Sequence, residues 1–398
     1  MIRIASSMLY QQTAQAIGSN QAQLVQLQSQ MGSGLRIQTA ADDPLAAGQA
    51  LGVNQSLADV GQWQSNAKTL QTSLGLEDSA LSAVSTALGQ IQTLAVQSNS
   101  AALSDSDRQA IVTQMKQQLA VILQQANAQD ASGNYLFGGT QGGAAPFALT
   151  AGGASYAGNS NVSLLALGPT SEIATGDPGD AVFMQLKSGD GRIDVAAAAG
   201  NSGSAGIGTA QVSDASQWDG GSYTLKFSGG QYQVLDSAST VVASGAYSSG
   251  QAIAFRGLSV TVNGAPADGD SFSIGPSTTR DLFATVQNLI AAVGAPAGSA
   301  AQRAQNQTAL YAAQQALGGA QAHITNVLAG VGAREQAVNN AVTQLSARSS
   351  QLQTTLSGLQ DLDYAQATTQ LSRTNVVLQA AEQSYVQIQG LSLFNYLK

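Results

Sequence analysis

The chain has 398 residues, enough for two or three domains, of which 43% are hydrophobic and only 10% charged. Its net charge is −8 on 15 Lys plus Arg, with no basic stripe, which argues against nucleic acid as a partner. Cysteine is absent and His323 is the single histidine, which excludes a disulfide framework, thiolate chemistry and a multi-histidine metal site.

Gln, Ser, Asn and Thr supply the polarity that charges usually supply. Such a surface is cheap to dehydrate against other protein, because no ion must leave water. No apolar run reaches the ~18 residues of a membrane span. The opening residues Met1-Ile-Arg3-Ile-Ala-Ser-Ser-Met8 lack the apolar core of a secretory signal peptide.

Three regimes follow one another. Residues 1–130 are helical in style, about 138–278 are Gly-, Ser-, Thr- and Val-rich with period-two alternation, and 281–398 return to helix. The expected fold class is α+β and multidomain: N- and C-terminal helices pack as a coiled-coil or bundle domain, and a β-rich domain is inserted between them. The expected divisions are 1–44 (terminal helix and link), 45–137 (inner helices), 138–278 (β-rich insertion), 279–360 (inner helices) and 361–398 (terminal helix).

In the first helix Tyr10, Ile17, Leu24 and Met31 recur every seven residues, with Leu27 on the second seam position. Gly32 and Gly34 interrupt it, and Leu35–Asp43 reads as an extended or turning link. Asp43 then caps a new helix whose first residue is Pro44. Leu74, Leu81, Leu88 and Ala95, with Leu70, Val84 and Ile91, form its stripe. Ser104 and Asp107 predict a capping box ahead of Ile111, Met115, Leu119, Ile122 and Ala126.

In the middle, Tyr223, Leu225 and Phe227 alternate, and Ser228-Gly229-Gly230 turns the chain into Tyr232 and Val234. Leu258, Val260 and Val262 alternate as well, ahead of Phe272 and Ile274. Towards the C-terminus two heptad stretches appear, Leu310–Val331 and Val338–Leu359, with Gly330 and Gly332 expected to bend the chain between them. A last helix carries Leu371, Leu378, Ala381, Tyr385 and Ile388, and ends in an apolar tail that includes Phe394.

The search for chemistry is empty. His323 lies in a helical pattern with no nucleophile beside it, and reads as a polar residue on a helix face. Asp42-Asp43 is better explained by capping than by acid–base work. Asp268-Gly-Asp270 lacks the remaining ligands of a calcium loop and reads as a turn. No phosphate-binding glycine motif is found, so neither cofactor nor enzymatic activity is expected.

The inner stripes read as ordinary core, whereas the chain ends do not. A heptad seam buries two residues in seven. Each contributes about 1.5–3 kcal/mol, while ordering costs about 1.5 kcal/mol for every residue. A hairpin of segments 1–34 and 363–398 is therefore expected to need neighbouring subunits.

The run Gln30-Met-Gly-Ser-Gly34-Leu-Arg36-Ile-Gln-Thr-Ala40-Ala-Asp42-Asp43-Pro44 resembles the N-terminal motif of bacterial flagellins and their junction relatives. Asp361-Leu-Asp-Tyr-Ala365, Leu371-Ser-Arg373 and the Gln-rich apolar tail resemble the C-terminal signature of the same family. Arg3-Ile-Ala-Ser-Ser-Met8-Leu-Tyr10, Asn134-Tyr-Leu-Phe137-Gly-Gly-Thr140 and Gly269-Asp-Ser-Phe272 are more similar to its hook–filament junction members. The resemblance implies unfolded export by the flagellar type III apparatus, a cytoplasmic export chaperone, and a place on the flagellum. That place lies between the first hook-associated protein and flagellin, among copies of the same subunit and without membrane insertion. It also implies assembly contacts at Tyr10, Ile17, Leu24, Met31, Leu371, Leu378, Tyr385, Ile388 and Phe394, with Arg36, Asp42 and Asp43 setting the joint between layers. Filament flagellin and a secreted coiled-coil adhesin remain the alternatives.

Overall fold

The computed structural model describes residues 2–100 and 104–394, with side chains described at Met8 and between Tyr10 and Gln387. Six α-helices are present in this span: α1 (Ile2–Ser33), α2 (Pro44–Ser98), α3 (Asp105–Ala126), α4 (Leu282–Gly294), α5 (Ala300–Gln360) and α6 (Tyr364–Phe394). The chain divides into two compact units, residues 1–65 with 342–398, and residues 66–341.

In the larger unit α2 and α5 run antiparallel. Gln71 Nε2 donates to Asn339 Oδ1 at 2.7 Å, and at the other end Gln314 Nε2 donates to the Ala95 carbonyl at 3.3 Å. Their facing stripes are the predicted ones: Leu70, Leu74, Leu81, Leu88 and Ile91 are fully buried, as are Leu317, Ile324, Val331 and Val338. The expected box at α3 is present. Asp107 N donates to Ser104 Oγ at 3.2 Å, and Ser104 N donates to the Asp107 carboxylate at 3.1 Å. The α3 face of Ile111, Met115, Leu119, Ile122 and Ala126 is buried, with Val112 beside it.

The inserted region holds two sheets. An antiparallel five-stranded sheet has the order β10 (Val241–Ala246), β9 (Gln231–Leu235), β8 (Tyr223–Ser228), β13 (Ser271–Pro276), β6 (Ile193–Ala197). A three-stranded sheet has the order β11 (Ala252–Phe255), β12 (Leu258–Asn263), β7 (Gly206–Val212). Their inner faces share one core of Leu225, Phe227, Val234, Val260, Val262, Phe272 and Ile274. The β8–β9 hairpin turns at Gly229 and Gly230, both at positive φ (58° and 74°), as a two-residue primed turn requires. Short pairs complete the insertion: β1 (Phe147–Thr150) with β2 (Gly153–Tyr156), β3 (Leu164–Ala166) with β4 (Glu172–Ala174), and β5 (Leu186–Lys187) with β14 (Thr279–Arg280).

The insertion is stitched to α5 along the edge strand β7. Thr308 Oγ1 accepts from Ile207 N at 3.0 Å, and the Tyr311 hydroxyl accepts from Ala210 N at 2.9 Å and donates back to Ala210 O at 3.2 Å. Backbone polar groups that an edge strand would leave open are thereby paired. Gly206 permits the approach, since a Cβ there would lie 2.9 Å from the Ala304 carbonyl oxygen.

The expected bend at Gly330 and Gly332 is absent. One helix runs unbroken from Ala300 to Gln360. Two glycines cost such a helix about 1 kcal/mol each relative to alanine, but the buried stripe of Ile324, Val331 and Val338 passes straight through them and outweighs that cost. A Cβ at either glycine meets nothing within 4 Å. Gly330→Ala and Gly332→Ala should therefore each stabilise the larger unit by about 1 kcal/mol, read as a raised melting temperature. A fall would show that the helix needs to bend there.

Candidate functional site

In the smaller unit α1 and α6 pair antiparallel along the predicted stripes. The outermost described layer is an edge-to-face contact of Tyr10 with Tyr385, ring centroids 5.5 Å apart. Steps of seven residues inward on both helices reach Ile17 with Leu378, then Leu24 with Leu371, then Met31 with Tyr364, whose hydroxyl donates to the Met31 carbonyl at 3.1 Å. Leu27 and Ala367 are buried between the last of these layers; Tyr10, Ile17, Leu24, Met31, Leu371, Leu378 and Tyr385 are half-buried, and Tyr364 is exposed. The side chains of Ile388 and Phe394 lie outside the described residues.

The register is fixed at the joint. Leu35 and Asp361 form an antiparallel bridge, with Arg36 N donating to Gln360 O at 2.7 Å and Leu362 N to Gly34 O at 2.9 Å. Gly34 supplies the required positive φ, 74°. The Arg36 guanidinium reaches the Asp43 carboxylate at 3.2 Å and the Leu359 carbonyl at 2.7 Å, tying the link to the end of α5. Asp43 also accepts from Ala46 N at 3.0 Å, as the expected cap of α2. Asp42 accepts from Gln38 N, Thr39 N and Gln26 Nε2 at 2.8–3.0 Å. Of the three joint residues named from sequence, Arg36 and Asp43 meet directly, while Asp42 bonds Gln26, Gln38 and Thr39 within the same link.

Both carboxyls are held below the usual range. The main cause is the bond from Thr39 N and then Gln38 N at Asp42, and the bond from Ala46 N and then Arg36 at Asp43.

Sequence periodicity missed the outer faces of this pair. Val25, Val376 and Val386 are 64%, 65% and 65% exposed, and Met8 and Val377 are exposed as well. Scattered exposed aliphatics are ordinary on a globular surface. Here they sit on α1 and α6, outside the described seam.

Elsewhere the polar residues singled out from sequence are structural. His323 Nε2 lies 3.0 Å from Ala181 O. Asp270 is buried and accepts from Ser202 N, Gly203 N and Ala267 N, while Asp268 accepts from Gly229 N. Among the described residues no three acidic or histidine side chains converge as a metal site, and no helix is long and apolar enough to cross a membrane.

The described chain is thus an α+β protein in which terminal helices pair and a β-rich insertion lies in sequence between the inner helices. Comparison with known proteins gives the class a family. The bacterial flagellin N-terminal helical region matches residues 4–142, and the bacterial flagellin C-terminal helical region matches residues 314–397. The D2-like domain of flagellar hook-associated protein 1 matches residues 196–276 of the insertion. The crystal structure of Xanthomonas campestris FlgL is 33% identical, with a TM-score of 0.73 over 77% of this chain and 99% of that one. Hook-associated protein 3 from Legionella pneumophila is 27% identical, with a TM-score of 0.74 over 77% and 98%. Flagellar hook-associated protein 3 of Salmonella typhimurium is 36% identical over 153 residues, 38% of this chain and 48% of that protein. The chain spans about half the length of the curated relatives it matches. The chain belongs to the bacterial flagellin family.

The joint carries its own test. Asp42→Ala should raise amide exchange at Gln38 and Thr39 several-fold and leave exchange in the β-rich insertion unchanged. Because both aspartates have depressed folded pKa values, their contribution is present above the ordinary carboxylate range and disappears as pH falls through the lowered values. Protection of Gln38 and Thr39 should follow that acid limb in the unsubstituted chain and be missing from Asp42→Ala.

Proposed function

We propose that this chain is a structural subunit of the bacterial flagellum, an adapter at the junction of hook and filament. The observation that carries this reading is the terminal helix pair. Its seam is only one stripe wide and its outer faces present Val25, Val376, Val377 and Val386 to solvent. Apolar surface of this kind is removed from water when further helices pack around it. Likeness to FlgL over nearly the whole of that protein supports the junction assignment.

In this reading α1 and α6 of neighbouring subunits form the inner layer of a tubular wall. The long helices α2 and α5 form the next layer, and the β-rich insertion faces outward. Contacts are head-to-tail, the arrangement that propagates along a helical lattice. One end of the ring meets the first hook-associated protein and the other meets flagellin. A cytoplasmic chaperone covers the terminal segments before export through the type III apparatus. Tyr10, Ile17, Leu24, Met31, Leu371, Leu378, Tyr385, Ile388 and Phe394 stabilise the inner layer, and Arg36, Asp42 and Asp43 fix its connection to the next. The low charge density of the chain suits this role, because subunit contacts then bury few ions.

Immunogold labelling of intact flagella tests the placement. A narrow band at the boundary of hook and filament is expected, and label along the whole filament would assign the chain to the filament instead. Leu378→Asp should abolish incorporation at the hook tip while leaving the melting temperature of the purified monomer nearly unchanged. A variant that still incorporates would remove the α1–α6 seam from the assembly mechanism.

A further inference from the structure

Glu77 is the one glutamate buried in the larger unit, 2% exposed on the inner face of α2. Its Oε1 accepts from Asp177 N at 2.9 Å, and its Oε2 has no hydrogen-bond partner. Asp177 belongs to the loop that leads into a π-helical turn at Asp180–Met184. Arg334 on α5 closes the cluster. Its Nη2 donates to Asp177 Oδ2 and lies 3.8 Å from Glu77 Oε2. Three elements thus meet on two carboxyls and one guanidinium.

We propose that Glu77, Asp177 and Arg334 form a proton-dependent clasp, in which Glu77 is a neutral acid while the clasp is shut and its ionisation loosens the Gly176–Pro178 loop from α2 and α5.

The charge balance requires one proton. A single guanidinium offsets a single carboxylate, and a second buried anion would stand without a counter-charge. Asp177 is the member in direct contact with Arg334, and its side chain is 30% exposed. Glu77 is the protonated one, and burial first and then the Asp177 charge push its pKa up to about 8. Its Oε1 is occupied as an acceptor, so the proton sits on Oε2. Glu77 is among the residues lining a cavity of about 300 Å³, with Ser73, Asp130, Asn134, Tyr135 and Asp177. The loop touches it closely, since a Cβ on Gly176 would lie 3.4 Å from Oε2.

The other ionisable groups near the cluster are Asp78 beside Glu77 on α2, Asp130 across the cavity, Asp180 in the π-helical turn, and Glu335 and His323 on α5. Glu335 reaches the position of Gly75, and His323 bonds Ala181 rather than the clasp. None places a second cation on Glu77. Because the folded pKa is raised, the clasp's contribution is complete below the ordinary glutamate range and is lost as pH rises through about 8.

The chain has only four glutamates, Glu77, Glu172, Glu335 and Glu382, so ¹³C-carboxyl NMR of selectively labelled full-length protein can follow each of them. One resonance should titrate near pH 8 and be missing from Glu77→Gln. In Asp177→Asn it should titrate at lower pH, because the neighbouring anion is gone. Between the ordinary glutamate range and about pH 8 the melting temperature of the unsubstituted chain should fall with rising pH more steeply than that of Glu77→Gln. Four resonances that all titrate in the ordinary range would overturn the proposal, and the unsubstituted protein alone can give that result. Equal pH slopes for the two melting curves would overturn the coupling to the loop.

Discussion

The structure depends on a seam in which each end of the chain is the other's partner. Tyr10, Ile17, Leu24 and Met31 form one stripe on α1, the helix that pairs with α6. Tyr10 packs on Tyr385 and the Met31 carbonyl accepts from Tyr364, and seven-residue steps between these two contacts set Ile17 and Leu24 in register with Leu378 and Leu371, all more than 300 residues away. Such a seam carries the loop-closure entropy of the whole intervening chain. The joint offsets this by fixing register at one point. Once Leu35 and Asp361 are bridged, the seven-residue period on both helices brings every later layer into place. Arg36 makes the joint specific, because its planar fork reaches a carboxylate and a carbonyl together.

The larger unit is built by different means. Its stripes on α2 and α5 are fully buried, its insertion has a sandwich core of its own, and Thr308 and Tyr311 tie that insertion to α5. Aromatic contacts among Phe137, Phe147, Phe183 and Phe283 add a second centre near the π-helical turn and α4. This division of labour fits a subunit whose interior persists while its ends exchange one set of neighbours for another. Burial supplies permanence in one unit, while contact in the other is shallow and periodic.

Much of this was legible in the sequence because it rests on local periodicity. Heptad spacing gave the seam residues, the Ser104–Asp107 box gave the start of α3, and Gly229-Gly230 gave the β8–β9 turn. Gly330 and Gly332 look like a bend until the stripe packed against α2 is seen to run through them. The amphipathic α4 was not separated from the helical regime around it, although Asp281 caps it and Phe283 and Val286 lie on its buried face. Glu77 reads as one polar residue in a polar-rich helix, and only the fold brings Asp177 and Arg334 to it. The exposed valines of α1 and α6 escaped notice because they fall off the period that marks a helix seam. For the two glycines and for Glu77 the deciding partner lies far away in sequence, where spacing carries no signal.

The central claim is that the terminal helix pair is too thin to persist without neighbours. Amide hydrogen exchange on dilute, monomeric, full-length protein tests it most directly. The account predicts rapid exchange throughout α1 and α6, beside strong protection of α2 and α5 between residues 66 and 98 and between 300 and 341. Protection of α1 and α6 equal to that of the inner helices would contradict it, because the seam would then be a finished core and not a surface awaiting partners.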